Sequence, residues 1–95
     1  MLKYLVEFIG TFLFLGVIVA TGQPFLIALA LLLVILVGGG ISGGHFNPAV
    51  SVMFYAKGGL SMMDLGSYII AQVAGGLAAL GLYTLATRKA YNGLQ

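Results

Sequence analysis

The dipeptide Asn47-Pro48 constrains this chain most, because it puts the start of a helix in the middle of otherwise apolar, membrane-type sequence. Asn is a favoured N-cap, and Pro suits the first helical position, where an N–H would find no partner in any case. The helix it opens is predicted to run from Pro48 to Tyr55, eight residues, with Lys57-Gly58-Gly59 as its stop. That is about 12 Å of helix against a hydrocarbon core about 30 Å thick. A half-length helix entered through Gly-rich backbone cannot face lipid, since its free N–H and C=O groups would have no partners there. It has to line water or pack inside protein. With its side-chain oxygen turned back on the first turn, Asn47 offers only its NH₂ group outward. A water passing it must accept with its oxygen, which interrupts a proton-conducting chain of waters, and the positive helix end repels cations.

The flanking sequence supplies the membrane. Of 95 residues, 61% are hydrophobic and 6% charged, a balance that soluble domains do not show. We expect an all-α membrane protein forming one unit over 1–95. Its three transmembrane helices fall at about 4–20, 25–40 and 62–87, with a re-entrant loop and half-helix at 42–56. Leu5 to Ala20 is an apolar run broken only by Glu7, Gly10, Thr11 and Gly16. A cleaved signal peptide has a similar outline, but Glu7 inside the run and Ile18 near the cleavage site fit it poorly. Thr21-Gly22-Gln23-Pro24 reads as a turn that returns the second helix antiparallel to the first. Phe25 to Val37 is apolar all round and reaches full length only if Gly38 to Ile41 continues it. Gly38-Gly39-Gly40 and Gly43-Gly44 lower the barrier to irregular backbone, unless Gly40 and Gly44 form a packing face. Ser61-Met62-Met63-Asp64 has the form of a capping box for the third span. Ala71, Gly75 and Ala79 make a small-residue stripe along that span, and Arg88, Lys89 and Tyr91 form an interfacial end.

Much chemistry is excluded by what is missing. The chain has no Cys, one His and two acidic residues, which removes disulfides and thiolate metal sites and leaves little for acid–base catalysis. No enzyme activity, metal or cofactor is expected. A formal charge of +2 is too small to suggest nucleic acid, and all four cations sit at segment ends.

The stretch Ser42-Gly43-Gly44-His45-Phe46-Asn47-Pro48-Ala49-Val50-Ser51 resembles the first Asn-Pro-Ala loop of the major intrinsic proteins, the aquaporins and glycerol facilitators. The resemblance extends to Glu7-Phe8-Ile9-Gly10-Thr11-Phe12 in the first span and Tyr68 to Gly76 in the last. It covers nearly the whole chain but only half of a typical member, which carries two inverted repeats. It implies that Asn47, Pro48, Ala49 and Val50 line a pore together with the carbonyls of Gly43, Gly44 and His45. It implies also that Glu7 braces the loop by accepting the N–H groups of His45 and Phe46. Without the resemblance, Glu7 could instead snorkel to the nearby interface. Gln72 has either a similar bracing role or a generic interhelical hydrogen bond. His45, with no second His or Cys, is read as holding the loop by a hydrogen bond and not as a metal ligand.

One copy gives three spans and one half-helix, which cannot enclose a pore. The second half could be another copy inserted upside down, as in inverted-repeat architectures. Lys3 and Lys57 would lie on one side and Arg88 and Lys89 on the other, so the positive-inside rule sets no orientation and dual topology is favoured. The other possibilities are a separate half-channel chain, or a truncated channel fragment or non-conducting assembly module. The family's second loop usually adds an Arg that narrows the pore, where this chain has Val50. Ile27 would take the filter's usual aromatic position. The expected function is passive conduction of water or small neutral solutes such as glycerol through the plasma membrane, with pores that could group into tetramers.

Overall fold

The computed structural model describes residues 1–93, with the side chains of Tyr91 and Asn92 outside the description. The Tyr91 anchor therefore lies outside the described side chains. Four helices follow in order, α1 (Leu2–Thr21), α2 (Pro24–Ser42), α3 (Pro48–Lys57) and α4 (Met62–Gly93). Of these, α1, α2 and the Met62–Ala90 part of α4 are long and apolar enough to cross a membrane.

Local chemistry explains each boundary. Gly22 closes α1 in the left-handed conformation (φ 61°), its N–H bonded to the Ile18 carbonyl at 3.0 Å, and Pro24 is already the first residue of α2. The turn is thus Gly22-Gln23, shorter than the four residues expected, because Thr21 continues α1 and Pro24 can start a helix. The triplet Gly38-Gly39-Gly40 is helical and not irregular, and α2 runs on to Ser42. At Gly38 the missing side chain serves close approach: an added Cβ would lie 2.7 Å from Val6 Cγ1 and 3.3 Å from Phe46 Cζ. Among the described residues, nothing outside the helix's own backbone lies within 4 Å of a Cβ added at Gly40, so these residues form no Gly40/Gly44 packing face. The backbone leaves the helix only at Gly43 and Gly44, with φ 93° and 68°.

The half-helix α3 has ten residues, two more than the expected Pro48–Tyr55, and is stopped by Gly58 at φ 94°. At about 15 Å it still reaches only halfway across a bilayer. α4 begins on the side where α3 ends. Ser61 Oγ caps it by accepting the Asp64 N–H at 3.0 Å. The reciprocal half of the capping box is replaced, because the Asp64 carboxylate is taken by Lys3 Nζ at 2.7 Å and by the Tyr4 hydroxyl at 2.6 Å. That cluster ties the start of α1 to the start of α4.

α1 packs against both α2 and α4, and α3 packs against α4. The stripe on α4 makes the α1 contact close. A Cβ added at Gly75 would lie 2.6 Å from the Phe8 carbonyl oxygen, and Ala79 lies against Gly16. Such small-residue contacts are how helix backbones approach in membranes, where apolar burial alone gives no preference for helix over lipid.

Candidate functional site

The loop between α2 and α3 is built around Glu7. This carboxylate is fully buried, one turn into α1, and accepts four hydrogen bonds. The Ser42 hydroxyl and the His45 N–H donate to Oε2 at 2.7 and 3.0 Å. The Phe46 N–H and Gln72 Nε2 donate to Oε1 at 2.7 and 2.9 Å. Backbone that leaves a helix inside apolar surroundings strands its N–H groups, and a carboxylate is an acceptor with capacity for several at once. Ser42 contributes twice more, its hydroxyl accepting the Gly44 N–H at 3.1 Å and its carbonyl accepting the Tyr68 hydroxyl at 2.6 Å.

Phe46 turns the chain. Its φ of 51° is left-handed, a strained setting for a side chain of its size, and the buried ring is what holds it there. The ring occupies the space that Gly10 leaves open, where an added Cβ would sit 2.1 Å from Cε1. The next residue, Asn47, is extended (φ −162°, ψ 124°) and exposed, and its Oδ1 accepts the Ala49 N–H at 2.8 Å. Its NH₂ group is left over as a pair of donors. Asn47 and Pro48 share a groove with Thr11, Phe14 and Ile18 of α1 and with Gln72, Gly76 and Leu77 of α4. Thr11 and Phe14 lie near the middle of α1, and Gln72, Gly76 and Leu77 near the middle of α4, so the tip of the half-helix sits close to mid-height in the bundle.

His45 is buried, its ring stacked on Phe54 (4.8 Å between centroids, 15° between planes) and edge-on to Tyr68 at 5.1 Å. Its Nδ1 lies 2.8 Å from Ser51 Oγ. Gly43, Pro48 and Ala49 are exposed, while Gly44 and Val50 are half-buried. Among the described residues, no hydrogen bond uses the carbonyls of Gly43, Gly44, His45 or Phe46. Four successive acceptors therefore lead to the donor pair of Asn47. Ile27 is apart from this group, half-buried one turn into α2 and about 22 Å along the helix from Ser42.

Three contributors carry no clear signal in the sequence. Ser42 and Ser51 stand inside the loop motif, where small polar residues at helix ends are common, and the Phe46 ring matters through a backbone angle that its residue type does not suggest. Ser51 follows Asn47 by one helical turn, and that spacing alone points it along the helix toward the loop. Two buried polar atoms among the described residues have no partner, Thr11 Oγ1 and Gln72 Oε1. Both residues line the open groove at the tip, which offers about 520 Å³.

Residues 1–95 match the family model described as Major intrinsic protein. The glycerol uptake facilitator protein-like 6 of Lactiplantibacillus plantarum is 47% identical over 88 residues, covering 83% of this chain and 41% of that protein. An aquaporin Z of Brucella melitensis is 47% identical over 77 residues, covering 80% and 31%. An aquaglyceroporin of Rhizobium meliloti is 50% identical over 58 residues, covering 59% and 25%. The chain thus spans less than half the length of these relatives. No solved structure matches it significantly.

Proposed function

The chain belongs to the major intrinsic protein family of integral membrane proteins, and from that premise we propose that it forms half of a passive channel for water and small neutral solutes such as glycerol. The observation that carries this reading is the tip at mid-height. Four unclaimed carbonyls and the Asn47 NH₂ have no place in hydrocarbon and need a file of polar molecules beside them. A neutral solute with hydroxyl groups can satisfy acceptors and donors in turn. A cation meets the positive end of α3 and the donors of Asn47.

The partner half is, on this proposal, a second copy of the same chain inserted antiparallel. The groove at the tip leaves room for a docked partner, since Asn47 and Pro48 are exposed in it beside the mid-span residues of α1 and α4. Balanced cations at the two ends allow either orientation. Asn47, Pro48, Ala49 and Val50 then face the lumen from both copies, with the carbonyls of Gly43, Gly44 and His45 behind them.

Osmotic shrinkage of liposomes holding only the purified chain tests both parts of this reading. Shrinkage well above that of empty liposomes is expected for water, and entry of glycerol on the same preparation. Asn47→Asp keeps a competent cap but replaces the donor pair with a negative charge, so neutral-solute flux should fall and cation leak appear. Folded wild-type protein that leaves shrinkage at the empty-liposome rate would overturn the homodimeric pore and direct the search to a separate partner half.

A further inference from the structure

We propose that Ser51 fixes the His45 ring in the tautomer with its proton on Nε2, so that His45 presents a permanent hydrogen-bond donor beside Gly43. The geometry starts from Glu7. Its Oε1 already receives the Phe46 N–H, and it faces Gln72 at 2.9 Å, so Gln72 must turn its NH₂ side toward the carboxylate. The second hydrogen of that NH₂ group goes to Ser51 Oγ, also at 2.9 Å. Ser51 is thereby an acceptor from Gln72 and keeps one hydrogen of its own to give.

Among the described residues, the remaining hydrogen-bond neighbour of Ser51 Oγ is His45 Nδ1, at 2.8 Å. A proton on Nδ1 would aim two donors at Ser51 and leave the hydroxyl hydrogen without an acceptor. Ser51 has no exposed surface, so water cannot supply one. The hydroxyl therefore donates to Nδ1, and a neutral imidazole that accepts at Nδ1 carries its proton on Nε2. Stacking on Phe54 and the edge contact with Tyr68 hold the ring in this orientation. Nε2 comes within 3.4 Å of where a Gly43 side chain would begin, and no described residue accepts from it.

The consequence for transport rests on the channel reading above. A solute passing Gly43 meets a donor at His45 Nε2 as well as the carbonyls, and then the donors of Asn47. Ser51 is a positioning residue in this scheme, since it acts on the solute only through His45.

His45 is the single histidine of the chain, so nitrogen-15 labelling of histidine gives two ring signals for this chain in bilayers. Spectra are taken in mildly alkaline buffer, so that the neutral form of the ring is read. The expected result is a proton on Nε2 and a bare, hydrogen-bonded Nδ1. Ser51→Ala should shift the Nδ1 signal, and Ser51→Thr, which keeps the hydroxyl, should restore it. A proton on Nδ1 in the wild type, or an Nδ1 signal unmoved by Ser51→Ala, overturns the assignment. If Ser51→Ala does not fold, the wild-type proton position still decides. The ratio of glycerol to water flux should change in Ser51→Ala and return in Ser51→Thr, and an unchanged ratio in folded Ser51→Ala overturns the role in transport. Absent wild-type flux with the proton on Nε2 would overturn the homodimeric pore while supporting the tautomer.

Discussion

Replacing Glu7 by Leu is expected to remove a large part of the protein's stability, although Leu suits a membrane helix better than Glu does. The substitution strands four donors at once: the Ser42 hydroxyl, the His45 and Phe46 N–H groups and one hydrogen of Gln72. The Ser42 hydroxyl can rotate toward the Gly38 carbonyl, 3.4 Å away, but the two backbone groups have no such freedom. At about 1–3 kcal/mol for each buried donor left unmade, those two alone cost about 2–6 kcal/mol. This is comparable with the about 5–15 kcal/mol that separates typical native proteins from their unfolded states. Glu7→Gln keeps one acceptor oxygen and turns an NH₂ group on the remaining donors, so it should fall between wild type and Leu. Thermal unfolding in a single detergent ranks the three. A Glu7→Leu protein that melts with the wild type would mean that the loop does not depend on this carboxylate.

The start of the half-helix is legible in sequence because capping is local: Asn47 needs only its own side chain and the N–H two residues on. The end is less so. Ala56 and Lys57 are good helix formers, and the stop comes only where Gly58 takes a positive φ. Glycines mislead for a related reason, since composition cannot separate those that bend a chain from those that admit a neighbour. Gly38 belongs to the second kind and Gly43 to the first, although they are five residues apart. Asp64 fits a capping pattern within four residues, but its carboxylate is taken by Lys3, sixty-one residues away. Gln72 is similar: its spacing from Tyr68 shows that they share a face, but not that one amide bridges Glu7 on α1 and Ser51 on α3. Such contacts depend on three helices meeting, and no periodicity within one helix encodes that.

A pair of Gly→Ala changes within α4 should have opposite effects, and the contrast isolates helix contact from helix propensity. Among the described residues, nothing outside the helix's own backbone lies within 4 Å of a Cβ added at Gly81, so Gly81→Ala mainly removes conformational freedom from the unfolded chain and should stabilise by about 0.5–1 kcal/mol. Gly75→Ala makes the same chemical change two turns earlier. Its Cβ would fall 2.6 Å from the Phe8 carbonyl oxygen and 3.1 Å from the Phe12 nitrogen. Both are backbone atoms within a helix, which no rotamer change can move aside, so α1 and α4 must separate. Overpacking of this kind costs about 1–3 kcal/mol and exceeds the gain in propensity. The separation also acts on the loop. Glu7 precedes Phe8 on α1 and Gln72 precedes Gly75 by one turn on α4, so their 2.9 Å hydrogen bond spans the contact being forced apart. Thermal unfolding should therefore rise for Gly81→Ala and fall for Gly75→Ala, and, on the proposed channel function, glycerol flux at equal folded protein should drop only in the second. If both variants shifted in the same direction, the α1–α4 contact would not be the element that positions the loop.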